Sequence, residues 1–228
     1  MKVAIIQSNY LPWKGYFDII HDVDVFVFLE DVQYTKNDWR NRNKIKTPTG
    51  VQWLTVPMLK GIHQKIFKAK IDNFQQWKIK HKKSIECNYA ASLYYDDYKD
   101  DIFKIYTKKF NTISELNMYT IKKICKMLNI KTRFVNSRDL HTTEKKDKKV
   151  IEICQQVNAD YYLSGPAAKD YIHNDNFINN GIELVYKDYS GYPKYQQLWG
   201  DFSHYVSIID VIFNCGKDVP FYIWGWRD

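Results

Sequence analysis

The chain has 228 residues, of which 45% are hydrophobic and 26% charged, a composition that suits one generous globular domain and excludes a disordered or low-complexity chain. Its net charge is +8, but five arginines among 34 basic residues, beside much Asn, Ile and Tyr, fit an AT-rich genome as well as a nucleic-acid partner. The N-terminal apolar run stops at Gln7, and no stretch nears the roughly 18 apolar residues of a membrane span, so the protein reads as cytoplasmic.

Lys2–Gln7 predicts a buried strand, Lys14–His21 a helix and Asp24–Leu29 a second buried strand, which together make a right-handed βαβ unit. From 38 to 71 the runs WRNRNKIK, VQWLTVPM and IFKAKID, broken by TPTG and LKGIHQ, predict a small antiparallel ribbon. Three helices follow, near Phe74–Asn88, Asp96–Lys109 and Ile113–Leu128, the third capped from Asn111, Thr112 and Ser114. The α/β order then returns: strand Lys131–Val135, helix Lys145–Gln156, strand Asp160–Leu163, short helix Pro166–Ile172, strand Ile182–Tyr186, aromatic loop Tyr189–Phe202 and helix Tyr205–Asn214.

The expected fold is therefore α/β: one domain with a doubly wound, mostly parallel five-stranded sheet and a strand and helical insertion over about 38–128. Ordered third, second, first, fourth, fifth, the strands reverse direction of winding between the first and fourth. Ligands bind at such a switch point, beyond the carboxyl ends of those two strands. Cys87, Cys125, Cys154 and Cys215 form no CxxC pair and are expected to be reduced thiols. Six histidines, at 21, 63, 81, 141, 173 and 204, show no metal spacing.

Three loops should meet at the switch point. After the first strand, SNYLPWKGYFD offers Asn9, Tyr10, Trp13 and Lys14 for stacking, hydroxyl and charge, or merely caps the sheet. After the second, LEDVQYTKNDWRNRNKIK brings Glu30, Asp31 and Gln33, then Arg40 and Arg42 around Asn41. Strand alternation would set the two arginines on one face, suited to a diphosphate or carboxylate; structural ion pairs with Asp31 or Asp38 are the alternative. After the fourth strand, SGPAAKD gives Ser164 and Gly165 before Pro166 at a helix start, with Lys169 one turn on. Such a start attracts anions, though an ordinary cap reads equally well. His141 and His204 are possible bases; GxSxG and Walker patterns are absent.

The blocks VAIIQSNYLPWKGYFDII, DVDVFVFLEDVQYTKNDWRNRNKIKT, QWLTVP, ADYYLSGPAAKDYI and FSHYVSIIDVIFNCG resemble the WbqC-like family along nearly the whole chain. The resemblance implies a role in O-antigen or other bacterial polysaccharide synthesis, with glycine transfer to an amino sugar suggested for a member. The arrangement also resembles distantly the nucleotidyltransferase-like folds, but LPWKGYF stands where those carry HxGH. That departure argues against adenylyl transfer and leaves nucleotide binding open.

The preferred expectation is acyl or aminoacyl transfer to a nucleotide-linked amino sugar, from an activated amino acid or acyl donor and without a cofactor or metal. Arg40, Arg42 and the Ser164–Gly165 helix start would hold the diphosphate, Trp13 or Tyr10 would stack on a ring, and Asp31 or His141 would serve as base. Two alternatives stand beside it: an aminoacyl-tRNA donor held by the basic helix 74–83, and a non-catalytic binding protein of a polysaccharide assembly complex.

Overall fold

Strand β1 (Lys2–Ile6), helix α1 (Lys14–His21) and strand β2 (Val25–Phe28) open a computed structural model that describes residues 1–61, 64–170 and 172–227, except for the side chain of Asp170. After the hairpin β3 (Arg42–Thr47) and β4 (Gly50–Thr55) come helices α2 (Trp77–Tyr89), α3 (Tyr95–Thr107) and α4 (Ile113–Met127). The chain ends through β5 (Arg133–Asn136), α5 (Lys146–Gln156), β6 (Tyr161–Ser164), α6 (Asn174–Ile178), β7 (Glu183–Tyr186) and α7 (Ile208–Cys215).

The main sheet has the order β5-β2-β1-β6-β7 and every pair in it is parallel, with Val3 opposite Val25 and Tyr162. This is the predicted order, with its switch point between β1 and β6. The VFVF run of β2 is buried throughout, as a parallel strand covered on both faces should be. Alternation divides the strands between two cores. Ala4, Phe26, Phe28 and Leu163 pack with Phe17 and Ile20 of α1, Ile121 of α4 and Ile212 of α7. Val3, Ile5, Val25, Val27 and Tyr162 pack on Ile151 and Cys154 of α5 and Phe177 of α6. Of the four free cysteines, Cys125, Cys154 and Cys215 are buried and Cys87 is exposed. Among the described residues no helix is long and apolar enough to cross a membrane.

Helix α4 begins at a capping box, in which Glu115 N–H donates to Thr112 Oγ1 at 3.3 Å and the Glu115 carboxylate accepts from Thr112 N–H at 3.2 Å. Four expectations need correction. IFKAKID is not a third ribbon strand: a 3-10 turn, Ile66–Lys68, sits there because Ile66 N–H bonds Val32 O and Phe67 N–H bonds Glu30 O, docking the segment under the loop after β2. The last helix starts at Ile208 rather than Tyr205, because Ser207 and Ile208 donate to the carbonyls of Lys44 and Pro12 and the residues before them form a bend. Pro166–Asp170 is a five-residue 3-10 turn, too short for the anion-binding dipole expected of it. Finally, β3 starts at Arg42, so Arg40 lies before the ribbon and the two arginines share no strand face. His63 and Tyr171 lie outside the described residues.

Candidate functional site

Beyond the carboxyl ends of β1 and β6 lies a cleft of about 300 Å³ lined by Ile6, Gln7, Asn9, Leu29, Arg40, Ser164 and Gly165, among others. Asn9 is also a wall of a second lobe of about 180 Å³, formed with Pro12, Trp13, Trp39, Asn43 and Tyr205. The two lobes differ in chemistry. The first holds a guanidinium and amides; the second is largely aromatic.

The loop after β1 is held in a demanding conformation. Leu11 has φ 42° although it is not glycine, and Asn43 Nδ2 donates to its carbonyl at 2.6 Å. Such backbone costs about 1–3 kcal/mol and persists only where surroundings enforce it. Here β3 enforces it through Asn43. The Trp13 ring lies across Gly15, where an added Cβ would come within 2.3 Å of the indole. Tyr189, Tyr192 and Tyr205 surround that ring at centroid distances of 5.0, 6.1 and 5.9 Å.

Arg40 reaches the first lobe from a turn. Asn41 N–H bonds Asp38 O, Tyr10 N–H bonds Trp39 O at 2.9 Å, and Asn117 Nδ2 of α4 donates to Arg40 O at 2.8 Å. Its guanidinium meets Asp38 at 3.0 Å, yet Arg40 Nε is buried without a hydrogen-bond partner, as are Gln7 Oε1 and Asn9 Oδ1. A buried polar atom without a partner costs about 1–3 kcal/mol, and three residues that carry one line this opening. Glu30, fully buried at the end of β2, accepts from Ser8 N–H at 2.9 Å. Burial raises its carboxyl above the ordinary range, while Ser114, Ser8 and the Arg40 charge pull it back.

Asn9, Trp13, Arg40, Ser164 and Gly165 are thus brought together, and the other sequence candidates are not among the cleft's lining residues. Tyr10 is fully buried, its hydroxyl 2.9 Å from His81 Nδ1 and 2.8 Å from Tyr106 Oη; it locks β1's loop to α2 and α3. Lys14 is buried, donates to Tyr222 O at 3.0 Å and lies over the Tyr192 ring at 4.6 Å. Burial brings its ammonium down to about 8. Asn41 donates to Val56 O and lines a separate cavity with Tyr34 and Lys60. Arg42 stacks on Trp53, Lys169 lies over the Tyr186 ring, and Gln33 bridges to Lys65.

The two proposed bases are also placed elsewhere. Asp31 accepts from Ser137 Oγ at 2.6 Å and pairs with Lys149. Burial would raise its carboxyl, but the bonds from Lys149 and Ser137 hold it below the usual range. His141 is exposed, with its backbone bonded to the Gln156 side chain of α5. His204 sits beside Tyr192 and Phe202 with a buried, unpartnered Nδ1. Burial, with Lys14 and Lys194 nearby, takes it down to about 4 and keeps it neutral near pH 7. Gln7, Trp39, Asn43 and Tyr205 line the site without having been singled out. For Gln7 the available signal was its place at the end of the first strand; for Tyr205 there was none, because it read as helix.

The model of the WbqC-like protein family matches residues 7–220. The chain is also similar to the uncharacterized protein Rv1507c of Mycobacterium tuberculosis, 44% identical over 225 residues and covering 97% of each chain. No solved structure matches it.

Proposed function

The chain belongs to the WbqC-like protein family, and we propose that it binds a nucleotide-linked amino sugar in the two-lobed cleft and transfers an acyl or aminoacyl group to the sugar's amine. One observation carries this reading: Arg40, Gln7 and Asn9, each with a buried polar atom that has no partner, line an opening whose other lobe is built of Trp13, Trp39 and Tyr205. A guanidinium suits a phosphate. Amide oxygens call for a ligand that donates, as sugar hydroxyls and amines do. An aromatic lobe suits a flat base. A nucleotide sugar has all three.

The amine must reach the donor uncharged, and the electron pair of its nitrogen forms the new bond as the donor's activating group leaves with the carbonyl's former bond pair. A proton then passes to a base. Polysaccharide synthesis as the setting comes from the family resemblance alone. A thermal-shift screen of UDP- and dTDP-linked amino sugars tests the binding step, since ligand at a hundred times its Kd adds about 2.7 kcal/mol of stability. Turnover with activated glycine tests the transfer. No shift with any of these sugars at millimolar concentration would sink the reading.

A second reading has its own support. Neither Asp31 nor His141 is among the residues lining the cleft, an arrangement that suits a non-catalytic binding protein. Binding of the sugar nucleotide without turnover, with every donor class supplied, would favour it.

A further inference from the structure

The hairpin β3–β4 carries an outward face that the cleft does not use. Residues paired across two strands share a side of the ribbon, so Lys44 lies beside Trp53 directly and Arg42, opposite Thr55, lies one diagonal step away. The Arg42 guanidinium stacks 4.2 Å from the Trp53 ring and the Lys44 ammonium lies 4.9 Å from it. Trp53 is 39% exposed, and Trp39, with its ring 5.5 Å away, is 41% exposed. Among the described residues neither Arg42 nor Lys44 forms an ion pair, and Arg42 Nε has no hydrogen-bond partner.

This face has a continuation on each side. Past Trp53 runs a groove of about 310 Å³ between β4 and α2, lined by Gln52, Gln75, Lys80 and Ser84 among others. The exposed flank of α2 adds Lys83. In the other direction, Trp39 is itself a wall of the aromatic lobe of the cleft. The surface is therefore a track, with a polar groove carrying Lys80 at one end, two adjacent indoles in the middle and the mouth of the cleft at the other end.

We propose that this track binds a single-stranded nucleic-acid segment, with bases stacked on Trp53 and Trp39 and phosphates against Arg42, Lys44 and Lys80. Every base has a π-face, so indoles hold a strand with little regard to sequence, and unpaired cations beside them match its backbone. A neutral glycan or peptide would use the indoles and leave the cations without counter-charge. A paired helix keeps its bases stacked on each other and leaves the indoles idle. A group carried at the strand's end would arrive at the aromatic lobe. This inference goes beyond the sugar-nucleotide reading and stands or falls separately from it.

Fluorescence anisotropy of a labelled oligo-adenylate six-mer with the full chain tests it, at 50 and 200 mM salt, against a duplex of equal length. Three contacted phosphates give a log–log salt slope near −2, or about an 18-fold loss over that range. Trp53→Ala should weaken binding about tenfold or more at either salt, and Trp53→Phe should keep most of it. Neither change should alter a sugar-nucleotide thermal shift, because Trp53 lies outside the cleft lining. Equal binding of the duplex, indifference to Trp53→Ala, or Trp53-dependent capture of an oligouronate in place of the oligonucleotide would each overturn it.

Discussion

Past the ends of β2 and β5, Asp31, Ser137, Lys149 and Thr142 satisfy one another: Lys149 pairs with Asp31 and donates to Thr142 Oγ1 at 2.8 Å, and Ser137 Oγ accepts from Glu30 N–H while donating to Asp31. Past the ends of β1 and β6 on the same edge of the sheet, Gln7, Asn9 and Arg40 keep buried polar atoms without partners. Both halves came from loops that read alike in sequence, polar and placed where a ligand would sit. The first half has used its charges to tie β2 to α5. The second leaves Arg40 Nε and two amide oxygens buried without partners. Titratable residues at a strand's carboxyl end are therefore weak evidence of a site until their partners are known.

A third region sets the upper limit of what such pairing contributes. Asp18 of α1 is fully buried and takes Lys187 at 2.9 Å, Arg227 at 2.7 Å and the Tyr192 hydroxyl at 2.5 Å. Burial lifts its carboxyl above the usual range while Tyr192 and Lys187 pull it down. Asp18→Asn would leave buried Lys187 and partly exposed Arg227 with Asp22 as their one remaining counter-charge in the cluster and should cost about 3–5 kcal/mol, read from urea midpoints at pH 7. A loss below 1 kcal/mol would mean that the cluster is as loose as a surface pair.

Arg40→Ala is the sharpest break in the comparison. It should abolish a sugar-nucleotide thermal shift worth about 2.7 kcal/mol at saturating ligand, whereas Asp31→Asn should leave that shift in place. The opposite pattern would exchange the roles of the two halves.

Lys149→Met tests the satisfied half through pH. The Asp31 carboxyl is held low, so the folded chain binds fewer protons than the unfolded one. The pair's stabilisation, about 1–3 kcal/mol for a group mostly out of solvent, is then fully present above the unfolded value near 4 and fades as pH falls through the folded value. Urea midpoints of wild type and Lys149→Met should differ at pH 6 and converge in acid. Asp22, held at about 2 by His21 and Lys187 against the effect of its burial, adds a slope of the same sign in both proteins.

Smaller effects separate packing from binding within the loop after β1. Tyr10→Phe should cost about 1–2 kcal/mol, because His81 and Tyr106 each lose a buried partner, and ligand shifts should persist. Reduced sugar-nucleotide affinity in this variant at unchanged stability would return Tyr10 to the site. His141→Ala should change stability by less than about 0.5 kcal/mol, as for exposed positions generally. A large loss of turnover in that variant would revive His141 as the base.

Much of the fold was legible because it follows from local pattern and connection rules. VAII and VFVF are continuous apolar runs, helical spacing separates them, and the right-handed crossover leaves few sheet orders to choose from. That was enough to place the switch point, and with it Asn9, Ser164 and Gly165. The sequence could not say where Arg40, Asn41 and Arg42 would point. Three consecutive residues face the cleft, a separate cavity and the outer face of the ribbon, because a turn closed by Asp38 O and held by Tyr10 and Asn117 replaces the strand that alternation implied. Tyr10 lies 29 positions before the residue it holds and Asn117 lies 77 positions after Arg40. Periodicity reports only on near neighbours in the chain, so direction at the site was decided by contacts between distant segments, and only the tertiary structure contains them.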